Sequence, residues 1–133
     1  IQEAAVMTAL TLGQPFGVIA IQSGSIPRHL RAFGAMGVRD RLAGDRALGL
    51  GVADLADLGV CLEAMIATGR ALKDTDGADV LIMGCAGMAQ YRAPLEEALG
   101  VPVVEPCQVA VSLALGQVQL GQSHTVKGAT HAG

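Results

Sequence analysis

Residues 80–87 read Val80-Leu81-Ile82-Met83-Gly84-Cys85-Ala86-Gly87. The first four side chains are apolar, which is typical of a buried strand in a parallel sheet. The other four place a thiol between two glycines, and a helical pattern follows over 88–99. Because ligands of α/β proteins bind beyond the carboxyl ends of the strands, the sequence predicts Cys85 at the edge where chemistry takes place.

The glycine-rich turn suits two chemical tasks. A helix that begins directly after Cys85 would favour the thiolate through its dipole and its free N–H groups. Gly84 and Gly87 let the backbone approach a ligand closely, and the N–H groups of this turn could hold a carbonyl or anionic oxygen. The alternative is a small residue packed at a strand end, because free cysteine is often buried and inert.

Strand and helix patterns alternate along the rest of the chain. This alternation with short connections predicts one α/β lobe over 1–120, a three-layer α/β/α arrangement around a four-stranded parallel, flavodoxin-like sheet. Residues 121–133 are predicted to form a mobile tail. The predicted strands are 16–21, 47–52, 79–84 and 101–104, and the polar residues 39–46 are predicted as a loop. The predicted helices are 2–12, one capped by Ser25, one capped by Asp54 or Asp57, 88–99 and 107–120.

Two further segments are predicted at the same edge as Cys85. Ser23 and Gly24 follow the first strand, and Ser23 is equally suited to contact a ligand or to cap the next helix. Glu105 ends the last strand, where it would reach the edge or remain a solvated carboxylate that favours the next helix. Cys107 reads as a packing residue at that helix start, and Cys61 as a structural residue within a helix.

Composition narrows the classes of ligand. The net charge is −3, only three residues are aromatic, and no stripe of Lys or Arg is present, so neither nucleic acid nor an anionic membrane is favoured. A small neutral or anionic metabolite fits better. Three widely spaced cysteines predict a reducing, cytoplasmic setting without disulfides or zinc. His29 is predicted to face solvent, and no histidine spacing indicates a metal site.

A nucleotide site is also disfavoured. Gly49-Leu50-Gly51 could open a dinucleotide-binding fingerprint, but Asp54 stands where a third small residue is needed. A carboxylate there would repel phosphate. No leader segment and no apolar run of membrane-spanning length is evident.

The motifs resemble a known family. Residues 80–89, VLIMGCAGMA, and 95–105, LEEALGVPVVE, closely resemble the second half of the Asp/Glu/hydantoin racemase superfamily. The resemblance covers residues 1–120, and its most specific part, GCAGM, points to the hydantoin and allantoin racemase branch. Amino-acid racemases of the superfamily usually have Thr, then His, Asp or Glu, where this chain has Ala86 and Gly87, which argues against free glutamate or aspartate as substrate.

The resemblance implies a cofactor-independent, two-base racemisation in which Cys85 exchanges a proton at a carbon next to a carbonyl. The substrate would be a cyclic ureide or related carbon acid, with Ser23, Gly24, Ala86, Gly87 and Glu105 as candidate contacts. The family's other cysteine lies in a first lobe that this chain lacks, so the chain is predicted to be an incomplete half that forms a homo-oligomer or complements that lobe. Arylmalonate decarboxylases and maleate isomerases resemble the same fold and remain alternatives, as does a non-catalytic binding module.

Overall fold

A computed structural model describes residues 1–51, 54 and 57–122. Most of the predicted tail, from residue 123 onward, therefore lies outside the described residues. Helices and strands alternate from α1 to α5. The helices are α1 Gln2–Leu12, α2 Ile26–Ala35, α3 Leu58–Asp74, α4 Arg92–Leu99 and α5 Pro106–Gln119, and the strands are β1 Phe16–Ala20, β2 Leu42–Ala47, β3 Val80–Met83 and β4 Val103–Val104.

The four strands form one parallel sheet in the order β2-β1-β3-β4. Phe16 pairs with Leu42 on one side and with Val80 on the other, so β1 and β3 run together through the centre. This is the flavodoxin-like arrangement predicted from the sequence. The strand order reverses between β1 and β3, which opens a crevice at their carboxyl ends.

Alternating side chains of the sheet supply two cores, one on each face. Val80 and Ile82 of β3 join a cluster with α1, α2 and the start of α5. Leu81 and Met83 join a second cluster, with α3 and α4. Each face of the sheet is therefore covered by helices, as the three-layer prediction requires.

The predicted position of the second strand is wrong. β2 occupies Leu42–Ala47, so that all of it except Ala47 lies in the segment predicted as a loop, and all six of its residues are half-buried. Its charged side chains have partners on other elements: Asp45 contacts His29, and Arg46 contacts Asp76. Local polarity suggested a loop because the partners lie far away in the sequence.

The start of α4 also differs from the prediction. A single 3₁₀ turn occupies residues 89–91, and α4 begins only at Arg92. Cys85 is thus not next to the N-terminus of this helix, so the structure does not meet the condition under which the helix dipole was expected to act on the thiol. The end of α4 is as predicted, because Gly100 adopts a left-handed conformation with φ 66°.

The start of α3 follows the chemistry of its capping residue. Asp57 caps α3, since its Oδ1 accepts hydrogen bonds from the N–H groups of Gly59 and Val60 at 2.9 and 3.1 Å. Among the described helices none is both long and apolar enough to cross a bilayer.

Candidate functional site

The loop after β3 is fixed by a close approach of two backbones. The N–H of Gly84 donates to the carbonyl oxygen of Ile19 over 2.8 Å. A Cβ at position 84 would lie 2.7 Å from that oxygen and 3.2 Å from the Cα of Ala20. Only glycine fits here without displacement of the backbone. The end of β3 is thereby held beside the end of β1, at the point where the strand order reverses.

Cys85 follows this anchor and is half-buried. Its side chain packs at the border of the cluster that includes Met88 and Tyr91, while Ala86 and Gly87 are exposed. The backbone N–H groups of Cys85, Ala86 and Gly87 have no hydrogen-bond partner within the described ranges. The loop therefore combines a thiol with donors that could face an oxygen atom of a ligand.

The first turn of α5 supports the same loop. The thiol of Cys107 lies 3.8 Å from the carbonyl oxygen of Ala86, within reach of a weak S–H hydrogen bond. Cys107 is half-buried at the start of its helix. The packing role predicted for Cys107 is thus a contact with the backbone of the loop that carries Cys85.

Glu105 lies at the end of β4 and is fully buried, with 0% of its surface exposed. Its Oε2 accepts a hydrogen bond from the N–H of Gln108 over 2.7 Å, which caps α5. Its Oε1 has no partner in the part of the chain that the structure describes. The predicted support of α5 is confirmed and the predicted solvation is wrong, whereas a ligand contact by Glu105 stays a prediction.

Ser23 and Gly24 lie at the carboxyl end of β1, in a short 3₁₀ turn, and both are exposed. The predicted capping role of Ser25 is wrong. Its hydroxyl donates to the carbonyl oxygen of Gln22 over 2.7 Å, and no side-chain hydrogen bond caps α2. The turn leaves Ser23 and Gly24 open to solvent at the same sheet edge as the loop of Cys85.

A buried histidine–aspartate pair was missed at the sequence level. His29 is only 6% exposed, so the prediction that it faces solvent is wrong. Its Nδ1 lies 2.8 Å from Oδ2 of Asp45. Burial raises the pKa of Asp45, and the contact with His29 opposes that rise. One signal was available: His29 stands four residues before buried Phe33, which places both on one face of α2.

A cavity of about 220 Å³ lies at the carboxyl edge of the sheet, on the side of α1 and α2. Gly84 and Ala86 form part of its lining, whereas Cys85 is not among its lining residues. Arg28 and His29 contribute the basic groups. The apolar wall includes Ala5, Val6, Val18, Phe33 and Ile82.

Comparison with known proteins places this arrangement in a family. A sequence model of the Asp/Glu/hydantoin racemase family matches residues 1–114. The chain belongs to that family. A hydantoin racemase of Paenarthrobacter aurescens is 31% identical over 123 residues, which cover 91% of this chain and 52% of the relative. The chain thus spans about half the length of the curated relatives that it matches.

Solved structures agree with the family assignment. The crystal structure of an allantoin racemase from Pseudomonas fluorescens superimposes with a TM-score of 0.87 at 32% identity, covering 93% of this chain and 53% of the other. An unliganded arylmalonate decarboxylase superimposes with a TM-score of 0.62 at 24% identity, covering 93% and 54% of the two chains. The latter likeness concerns the fold alone.

In this racemase-family fold, the five candidate contacts fall into three places. Ala86 and Gly87 flank Cys85 in one loop, and Ser23 and Gly24 end the neighbouring strand β1. Glu105 lies behind them in the core, where it caps α5. The four exposed members therefore lie in the loops that follow β1 and β3, the buried member caps α5, and contact of any of them with a ligand stays a prediction.

Proposed function

We propose that this chain is one lobe of a cofactor-independent racemase in which the Cys85 thiol exchanges a proton with the carbon next to a carbonyl group. The substrate class is a cyclic ureide of the hydantoin or allantoin type. The observation that supports it most directly is the position of Cys85, half-buried in a Gly-rich loop at the β1/β3 crevice, in a chain of the Asp/Glu/hydantoin racemase family.

The loop offers the electrostatics that proton abstraction needs. When a base removes a proton next to a carbonyl, negative charge develops on the carbonyl oxygen. N–H groups at residues 85–87 are free to donate to that oxygen, as far as the described residues go. The hydrogen bond from Gly84 to Ile19 fixes the loop before substrate arrives, so little reorganisation is needed.

Inversion requires a second acid–base group on the opposite face of the substrate. The other cysteines of this chain are poor candidates. Cys61 is fully buried in α3, and the thiol of Cys107 is directed at the carbonyl oxygen of Ala86. The proposal therefore assigns the second group to another lobe or another subunit, and a reducing, cytoplasmic setting keeps Cys85 a free thiol.

Isotope exchange tests whether Cys85 of this chain exchanges the proton while the second acid–base group comes from another lobe or subunit. The chain is incubated in D₂O with one enantiomer of a 5-substituted hydantoin, and NMR follows loss of the proton at C5 while polarimetry follows inversion. We expect exchange that is faster than in buffer and depends on Cys85, with little inversion by the chain alone. Cys85→Ser should abolish the exchange, whereas Cys107→Ser, a matched loss of a half-buried thiol, should largely retain it.

Two results would refute the proposal. Exchange that survives Cys85→Ser would remove the thiol from the chemistry. Full racemisation by the isolated chain would show that the second group lies within it, contrary to the assignment to another lobe or subunit.

A further inference from the structure

The cavity between α1, α2 and the backbone of Gly84 and Ala86 combines one basic end with an apolar body. Its volume is about 220 Å³, below the range of about 300–1,000 Å³ that is usual for ligand pockets, so only a small ligand fits. Val18 and Ile82 of the central strands form part of its apolar wall, so the wall rests on the rigid core of the sheet.

His29 is oriented at the basic end by a partner outside the cavity lining. Its Nδ1 lies 2.8 Å from Oδ2 of Asp45, whose side chain is 2% exposed. Nδ1 is therefore occupied, and Nε2 is the ring nitrogen left for other contacts. Nε2 has no hydrogen bond to any residue in the described ranges, although the imidazole lines the cavity. The imidazolium form, which carries hydrogen on both ring nitrogens, can donate from Nε2 to a ligand while Nδ1 donates to Asp45.

Charge selects the class of ligand. Arg28 and His29 line the basic end, and none of the residues named in the lining is acidic. Asp45 compensates His29 from behind, so among the lining side chains the guanidinium of Arg28 carries the uncompensated charge. We propose that this cavity binds a short-chain monocarboxylate, with the carboxylate held by Arg28 and His29 and the aliphatic part against the apolar wall.

This site is distinct from the proposed reaction at the thiol. The side chain of Cys85 packs towards the cluster of α3 and α4, whereas the cavity lies on the side of α1 and α2. The two share only the backbone of the loop, through Gly84 and Ala86. Ligand binding is therefore expected to persist in Cys85→Ser, and its outcome does not depend on whether the racemase proposal holds.

NMR titration of the isotope-labelled full chain with sodium butyrate tests the site, with butyramide as a neutral probe of the same shape. For butyrate we expect saturable shifts at the imidazole of His29 and at the side-chain methyl groups of Val18 and Ile82, which line the cavity and take no part in the proposed reaction. Butyramide should bind about tenfold more weakly, because it lacks the negative charge and the second acceptor oxygen that pair with Arg28. Equal affinity for the two probes, or shifts that do not saturate, would overturn the proposal.

Matched substitutions of two arginines test whether Arg28 supplies the positive charge that binds butyrate. Arg28→Ala should weaken butyrate binding severalfold, whereas Arg31→Ala, which removes another exposed arginine of α2 that is outside the lining, should not. His29→Gln should also weaken butyrate binding. If that variant fails to fold, the comparison of Arg28→Ala with Arg31→Ala tests the site. Equal effects of the two arginine variants would contradict the site. Because Ile1 lines the cavity, the titration is repeated with the α-amino group acetylated, and loss of binding there would assign it to that amine instead.

Discussion

The backbone N–H of Gly84 lies 2.8 Å from the carbonyl oxygen of Ile19, and this hydrogen bond joins the ends of the two central strands beneath the Cys85 loop. Gly84→Ala would place a Cβ 2.7 Å from that oxygen, which belongs to a buried strand and cannot move away easily. We expect a loss of about 1–3 kcal/mol in the free energy of unfolding, measured by urea denaturation.

Gly34→Ala is the control for that substitution. Gly34 lies within α2, and a Cβ there meets nothing within 4 Å. Alanine should therefore leave stability unchanged or raise it by up to about 1 kcal/mol, as glycine in a helix interior is unfavourable. If Gly84→Ala proved as stable as Gly34→Ala, the close approach at the crevice would be wrong.

The buried pair of His29 and Asp45 should show energetic coupling. Removal of either side chain leaves the other polar group buried without its partner, so His29→Ala and Asp45→Ala should each cost about 1–3 kcal/mol. The double variant should lose clearly less than the sum of the single losses. Urea denaturation of the four proteins measures the coupling free energy.

The pair Arg92–Glu96 is a suitable reference for this double-mutant comparison. These residues are neighbouring charges on the surface of α4, and both side chains are about one-third exposed. Their coupling should not exceed about 0.5 kcal/mol, because solvent screens exposed pairs. A coupling at His29 and Asp45 as small as this reference would mean that burial does not strengthen the contact.

The contrast between β3 and β2 shows how far the sequence predicts this fold. The run Val80–Met83 is buried on both faces, so its apolar side chains alone identify it as a strand. β2 carries Asp45 and Arg46, whose partners His29 and Asp76 lie 16 and 30 residues away. Only the folded chain brings these partners together, and a local pattern therefore reads as a loop.

The candidate site likewise has one part that the sequence predicts and another that it does not. The Cys85 loop is a local feature, a strand followed by Gly84 and a thiol, and the sequence predicts it. The environment of His29 depends on Asp45, which lies in a segment that the sequence pattern predicts as a loop. The delayed start of α4 likewise depends on tertiary packing, since buried Met88 and Tyr91 hold the 3₁₀ turn against the core.

Acid should remove a contribution that Asp76 makes to stability. The guanidinium of Arg46 donates two hydrogen bonds to the Asp76 carboxylate, at 2.6 and 2.7 Å, and lowers its pKa below the ordinary 3.8. A lowered pKa in the folded state stabilises the fold above pH 3.8, and this stabilisation disappears as the pH falls through the folded-state pKa. The stability difference between the native chain and Asp76→Asn should follow this course. A difference that stays constant from neutral pH to pH 3 would contradict the ion pair.

Substitutions of Glu105 can separate support of α5 from contact with substrate. Glu105→Gln keeps an oxygen that accepts from the N–H of Gln108 and should retain most of the stability, whereas Glu105→Ala should lose about 0.5–2 kcal/mol from the lost cap. Thermal unfolding measures both. If Glu105 also contacts substrate, Glu105→Gln should slow the proton exchange at C5 while the protein stays as stable. Unchanged exchange in a stable Glu105→Gln protein would restrict this residue to its structural role.

The start of α3 offers a choice between two aspartates that the sequence left open. Oδ1 of Asp57 accepts from the N–H groups of Gly59 and Val60 in the first turn, whereas Oδ2 of Asp54 accepts from the N–H of Gly51, before the helix. Asp57→Ala should therefore cost about 1 kcal/mol, while Asp54→Ala should change stability by less than about 0.5 kcal/mol. Urea denaturation of both variants measures the difference. Of these two carboxylates, that of Asp57 accepts from N–H groups of α3 and that of Asp54 does not. Equal losses in the two variants would therefore mean that the cap at Asp57 does not stabilise the helix.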